Sequence, residues 1–157
     1  MATIFKPSKR NARAKRATPA DKGVFELQIE RLADDGRGIA HHNNKVVFVL
    51  GALPGERVQA RVLKRHKRFD EAESVQLLAA SEHRVESPCS QYGQCGGCQL
   101  QHLAYPEQVE HKRSRLSAII DECVDVEVMA GPPEAYRHRA RLSYRAGHLG
   151  FKAAATH

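Results

Sequence analysis

Cys89, Cys95 and Cys98 lie within ten residues, in the order Cys-x5-Cys-Gly-Gly-Cys, among polar and glycine residues with no helical or strand period. Such a segment can fold back until three sulfurs face one centre. Gly96 and Gly97 lack a Cβ, so backbone N–H groups can approach a sulfur-rich anion closely. Thiolates grouped in this way hold an iron–sulfur cluster or a zinc ion, and both normally take four ligands. The chain offers two candidates for the fourth. His102 would give Cys-x5-Cys-x2-Cys-x3-His, a closed zinc site. Cys123 sits on the apolar face of a predicted helix, where a buried thiol without metal explains it equally well. A redox dithiol at Cys95 and Cys98 is a further reading, although no βαβ pattern surrounds the pair. Spacing alone leaves zinc and iron–sulfur open.

The elements that must carry this segment are short. In front of it, Phe25, Leu27 and Ile29 alternate with Glu26, Gln28 and Glu30, the pattern of a half-buried strand. Asp34-Asp35-Gly36-Arg37-Gly38 is turn chemistry, with two glycines open to positive φ. Lys45–Leu50 reads as a second strand, Leu53-Pro54-Gly55-Glu56 as a turn, Val58, Ala60 and Val62 as a third strand, and Phe69–Leu78 as a fourth. Short strands with frequent turns and no helix between them predict a small β-barrel. Lys64-Arg65-His66-Lys67-Arg68 forms a basic loop between its later strands.

The character changes after Ser87-Pro88. Beyond the cysteines, Pro106 opens a helix expected to run to about Cys123, with Val109, Leu116, Ile120 and Cys123 on one face. Val124, Val126 and Val128 alternate as a strand. Tyr136, His138, Ala140, Leu142 and Tyr144 then alternate with Arg137, Arg139, Arg141, Ser143 and Arg145, and a period of two sets the arginines on one sheet face. Such a row repels itself unless it meets acids or phosphates, and the guanidinium fork suits phosphate oxygens. Gly147 and Gly150 suggest a hairpin into Leu149–Ala153. One helix and three strands make a poor domain, so the sequence reads as cut short.

Charge is uneven along the chain. Six of the 25 Lys and Arg residues lie in residues 1–20, which hold no acid, and the other 19 face 18 acidic side chains. A basic, flexible arm over residues 1–21 in front of a nearly neutral body suits a polyanion such as RNA. The longest apolar runs fall short of a membrane span, and no apolar stretch follows the basic N-terminus. A cytoplasmic, monomeric protein is expected, in which the four cysteines are ligands, catalytic groups or buried thiols rather than disulfides.

The run Pro88-Cys89-Ser90-Gln91-Tyr92-Gly93-Gln94-Cys95-Gly96-Gly97-Cys98-Gln99-Leu100-Gln101-His102-Leu103 resembles the cluster motif of the bacterial 23S ribosomal RNA (uracil-5-)-methyltransferases that carry a [4Fe–4S] centre. Glu30–Ala40 looks like the opening of a TRAM domain, a small OB-like RNA-binding barrel. Tyr136–Leu142 and Leu149–Lys152 are similar to strands of that family's central domain. The resemblance implies a mainly β N-terminal part, a cysteine cluster loop and the start of an α+β central domain, with the catalytic α/β domain absent. It divides the chain into a basic arm (1–21), a TRAM barrel (22–80), a cluster loop (81–104) and a partial central domain (105–157). It carries Cys89, Cys95 and Cys98 across as cluster ligands and places the fourth cysteine beyond His157. It implies S-adenosylmethionine as methyl donor and 23S ribosomal RNA as partner. The S-adenosylmethionine site and the catalytic residues are also expected beyond His157. Lys64, Arg65, Lys67, Arg68, Arg137, Arg139 and Arg141 are the candidate RNA contacts. Two other functions remain compatible with the residues: a stand-alone RNA-binding module with a Cys3His zinc site, and a redox iron–sulfur protein.

Overall fold

The computed structural model describes residues 23–120 and 125–153, so the arm 1–21 and Cys123 lie outside the described residues. The chain divides into two compact units, with the boundary between Arg84 and Val85.

In the first unit six strands form one sheet: β1 (Val24–Gln28), β2 (Arg31–Leu32), β3 (Gly38–His42), β4 (Lys45–Leu50), β5 (Arg57–Arg65) and β6 (Phe69–Ala79). Their order is β1-β5-β6-β4-β3-β2, antiparallel throughout except for the parallel pair β4–β6. The two end strands of this order are consecutive in the chain, separated only by Ile29 and Glu30. At that bend Ile29 N–H donates to Glu56 O at 2.8 Å and Glu30 N–H donates to Ile39 O at 2.8 Å. The single strand expected over Val24–Glu30 therefore bends and pairs with β5 on one side and β3 on the other. Both sheet edges meet at this segment, which closes the barrel and removes exposed edges.

Alternation fills the interior. Leu27, Ile29, Val47, Val49 and Val58 are packed inside with four alanines, Ala40, Ala52, Ala60 and Ala72, and Phe25 lies against them. Small side chains suit so narrow a barrel. The expected strands at Lys45–Leu50 and Phe69–Leu78 are present as β4 and β6. Leu53–Glu56 is a turn with Pro54 second and Gly55 third at φ 80°, the type II arrangement. The strand β3 is not among the elements expected from the sequence. Its signal is Asn43-Asn44, which take φ 49° and 60° and connect β3 to β4 in a two-residue hairpin.

The turn glycines divide their roles. Gly36 takes φ 84°, but Gly38 does not need positive φ. It is glycine because a Cβ there would lie 2.9 Å from both Ala52 O and Ile29 Cγ2. The carbonyl belongs to backbone and cannot swing aside, so Gly38→Ala is expected to destabilise the barrel by about 1–3 kcal/mol. Thermal unfolding of the variant checks this.

In the second unit α1 (Tyr105–Ser117) starts with Pro106 in its first turn and ends six residues before Cys123. The expected apolar face is not covered among the described residues: no residue of α1 is buried, and Leu116 is 46% exposed. β7 (Ser143–Arg145) and β8 (His148–Gly150) form a hairpin through Ala146 and Gly147, both at positive φ. The longer strands expected at Val124–Val128 and Tyr136–Arg145 are corrected here. Of the described residues in them, only Ser143–Arg145 pair, each with one residue of β8. A strand persists only where a neighbour accepts its backbone hydrogen bonds, and β8 offers three such positions.

Candidate metal centre and basic surfaces

The cysteine segment is ordered by its own polar side chains. Cys89 N–H donates to Ser87 Oγ at 3.3 Å, and Ser87 Oγ donates to Gln101 Oε1 at 2.6 Å. Tyr92 N–H bonds Cys89 O at 3.0 Å and Cys95 N–H bonds Gln91 O at 2.9 Å, which winds residues 89–95 into successive turns. Gly93 at φ 80° allows the reversal. The Tyr92 hydroxyl donates to Gln99 O at 2.6 Å and shares a further hydrogen bond with His102 Nδ1, so one phenol spans the loop. Leu103, 4% exposed, anchors its end.

Gly96 is a contact point. Its N–H donates to Lys152 O at 2.9 Å, and Cys95 forms an antiparallel bridge with Ala153. A Cβ on Gly96 would stand 3.2 Å from the carbonyl oxygens of both Lys152 and Ala153. Gly96 thus lets the chain that follows β8 run directly beside Cys95.

All three cysteines are free thiols, with Cys89 and Cys98 exposed and Cys95 partly so. Gly97 N–H points at Cys95 Sγ (3.4 Å) and the Gln101 amide at Cys98 Sγ (3.5 Å), the donors a thiolate-bound centre needs. Partial burial raises the Cys98 pKa, the nearness of Cys95 and Cys89 raises it further, and Arg137 opposes them. Among the described residues no three His, Cys, Asp or Glu side chains meet closely enough to hold a metal ion by themselves. Cys95 and Cys98 each have an N–H donor beside the sulfur, the kind of contact that a thiolate ligand uses.

His102, the other candidate for a fourth ligand, is held through Nδ1 by the Tyr92 hydroxyl. It is 4% exposed and its ring lies against Tyr92, with centroids 5.4 Å apart. Through this contact it helps to hold the loop.

The basic candidates fall in two places. Lys64 and Arg65 end β5, and Lys67 and Arg68 lie in the turn to β6, which His66 N–H closes by donating to Phe69 O at 2.9 Å. All four are exposed at the tip of a barrel hairpin. Arg137, Arg139 and Arg141 are exposed as well, but on irregular chain, so no sheet face aligns them.

Two features of the barrel are not legible as sites in the sequence. Glu56 is fully buried; it accepts from Leu53 N–H at 2.8 Å, from Ser81 N–H at 3.3 Å and from both Arg84 Nε and Nη2. Arg84 Nη2 also reaches Gly51 O at 2.7 Å. A depression lined by Arg31, Ala33, Asp34, Asp35, Ile39 and Phe48 lies on the barrel surface. No local spacing marks either, because their members come from separate strands and turns.

Residues 23–75 match the TRAM domain family model. The 23S rRNA (uracil(1939)-C(5))-methyltransferase RlmD of Chromohalobacter salexigens is 46% identical, over 94% of this chain and 34% of that protein. The protein of the same name from Vibrio campbellii is 36% identical over 97% of this chain and 36% of its own length. A crystal structure of Pyrococcus abyssi tRNA (uracil-54, C5)-methyltransferase with S-adenosyl-L-homocysteine superposes with a TM-score of 0.56 at 32% identity, over 80% of this chain and 28% of that one. The chain spans about a third of the length of the curated relatives it matches. Over most of its length the chain is thus similar to about a third of proteins named 23S rRNA (uracil-C5)-methyltransferase, and within that stretch residues 23–75 are similar to the TRAM domain.

Proposed function

We propose that this chain is the RNA-binding and cluster-binding part of a cytoplasmic enzyme that methylates C5 of a uridine in 23S ribosomal RNA, with S-adenosylmethionine as donor. The observation that carries this reading is the likeness, over 94% of the chain, to proteins named for that reaction. A barrel with exposed cations at one hairpin tip suits a partner whose charge lies on its backbone. Lys64, Arg65, Lys67 and Arg68 bind phosphates there, and Arg137, Arg139 and Arg141 add contacts from the second unit.

Cys89, Cys95 and Cys98 would hold a [4Fe–4S] cluster together with a fourth cysteine from beyond His157. The tie between Gly96 and Lys152 supports this, because it sets the chain after β8 alongside Cys95. When bound, the cluster would cross-link the loop; methylation at C5 needs no net electron transfer, so the role is structural. The chain's own residues bind and position RNA, while the methyl donor and the reacting groups belong to the remainder of such an enzyme. By itself the 157-residue chain is expected to transfer no methyl group.

Binding of the chain to 23S ribosomal RNA, followed through a salt titration, tests the RNA role. The log–log slope should be roughly 0.7–0.9 per phosphate neutralised. Replacing Lys64, Arg65, Lys67 and Arg68 together by glutamine should flatten it by about one for each phosphate that is no longer neutralised. A wild-type affinity indifferent to salt would overturn the reading.

A further inference from the structure

The barrel carries a second recognition feature beside its cations. The turn between β2 and β3 and the outer faces of β3 and β4 enclose a shallow depression of about 330 Å³. Its floor is apolar, made by Ile39 and Phe48, which are paired across the β3–β4 ladder, with Ala33 at one side. Its rim is polar: Arg31 supplies donors, and Asp34 and Asp35 supply acceptors.

Neighbouring groups hold this floor rigid. The Arg37 guanidinium lies 4.6 Å from the Phe48 ring centre and is fixed by Asp35 at 2.8 Å. Partial burial raises the Asp35 pKa, but the hydrogen bonds and charge of Arg37 outweigh it and keep the carboxyl below its usual range. Phe48 meets Phe69 edge-on at 5.5 Å, and Phe69 stacks on His66 at 4.2 Å. An aromatic line thus runs from the depression across β4 and β6 to the β5–β6 turn, where Lys67 and Arg68 stand.

An apolar floor with a mixed donor and acceptor rim suits a flat ring whose edge can both give and accept hydrogen bonds. It does not suit a phosphate, which the two carboxylates on the rim would repel. We propose that this depression receives one unpaired nucleobase of an RNA strand, laid against Phe48 and Ile39 with its polar edge toward Arg31, Asp34 and Asp35, while the strand's phosphates lie on the cations of residues 64–68. The inference rests on the RNA-binding reading above and adds to it a site for a base. Unstacked bases settling on aromatic side chains is how single-stranded RNA is commonly held.

The test uses the full chain and two RNA probes of equal length, one single-stranded with a central 2-aminopurine and one fully duplex. The central fluorophore should change its emission when wild-type protein binds. Phe48→Leu and Arg31→Ala should weaken binding of the single strand by about 5- to 150-fold and remove the emission change. Duplex affinity should stay within about twofold. Arg31 is exposed, so its variant guards against a folding defect in Phe48→Leu. If wild type binds neither RNA, the RNA-binding reading fails and the pocket assignment with it. If it binds both and the variants match it on the single strand, the pocket assignment alone is overturned. Equal losses on both probes would make these residues phosphate contacts, which also overturns it.

Discussion

Replacing Glu56 by alanine is expected to lower the stability of the barrel unit by about 3 kcal/mol, the low end of the 3–5 kcal/mol for breaking a buried ion pair. The low end applies because Arg84 remains 25% exposed and can recover part of its hydration. The loss is also one of acceptors, since the Leu53 and Ser81 amides both give their hydrogens to this carboxylate. Against a total stability of about 5–15 kcal/mol for an ordinary domain, that is a large share. Urea unfolding of wild type and variant measures it; a midpoint shift too small to resolve would show that water replaces the carboxylate at no cost. Glu56→Gln keeps an acceptor for Leu53 and should lose less.

The same pair sets a pH dependence. Burial raises the Glu56 pKa, but the hydrogen bonds from Arg84, the Leu53 amide, the Arg84 charge and the Ser81 amide outweigh it, and the folded value lies below the ordinary 4.5. A depressed folded pKa means stability that is complete above the unfolded value, about 4.3–4.5. It is lost as pH falls through the folded value. Wild-type stability should therefore decline below about pH 4.5, and Glu56→Gln should lack that portion of the decline. Parallel pH profiles would remove Glu56 as the source.

Serine in place of Cys95 or Cys98 is expected to abolish iron retention after anaerobic reconstitution with ferrous iron and sulfide. Clusters are held by thiolates, which a serine hydroxyl, a hard and neutral donor, does not replace. Among the described residues no three His, Cys, Asp or Glu side chains, the three cysteines included, stand close enough to hold a metal ion. The wild-type chain is thus expected to retain iron weakly, and more firmly when a small thiol is added to take the open position. Visible absorbance and iron analysis, with and without that thiol, read this out. Iron content that is unchanged in Cys89→Ser, Cys95→Ser and Cys98→Ser would remove the three cysteines as ligands. A colourless protein binding zinc in equal amount would shift the site to the other metal.

Much of the barrel is legible because alternation is local. Phe25, Leu27 and Ile29 announce which side of their strand is buried, and Leu53-Pro54-Gly55-Glu56 announces its turn type, whatever the rest of the chain does. β3 is harder to find because Gly38-Ile39-Ala40-His41-His42 carries little polar alternation and ends in two histidines; the Asn-Asn turn is its only strong mark. The strand expected over Tyr136–Arg145 shows the opposite failure. Its alternation is as regular as that of β1, yet pairing extends only across Ser143–Arg145, where β8 runs opposite. Periodicity states which face a strand would present, not whether a partner exists.

Local sequence is enough to establish the residue types and spacing of the three cysteines, the two glycines between them, and the basic hairpin tip. Each of these depends on neighbours a few positions away, where covalent geometry limits the options. That Glu56 meets Arg84 across 28 residues, and that Gly38 is glycine for want of space against Ala52, follows from packing alone. Packing also brings Arg31, Asp34, Ile39 and Phe48 around one depression and lays Lys152 along Gly96. Those contacts arise from how the bent β1–β2 segment closes the sheet and from where the β7–β8 hairpin returns. Closure and return are properties of the whole chain, which no local pattern encodes.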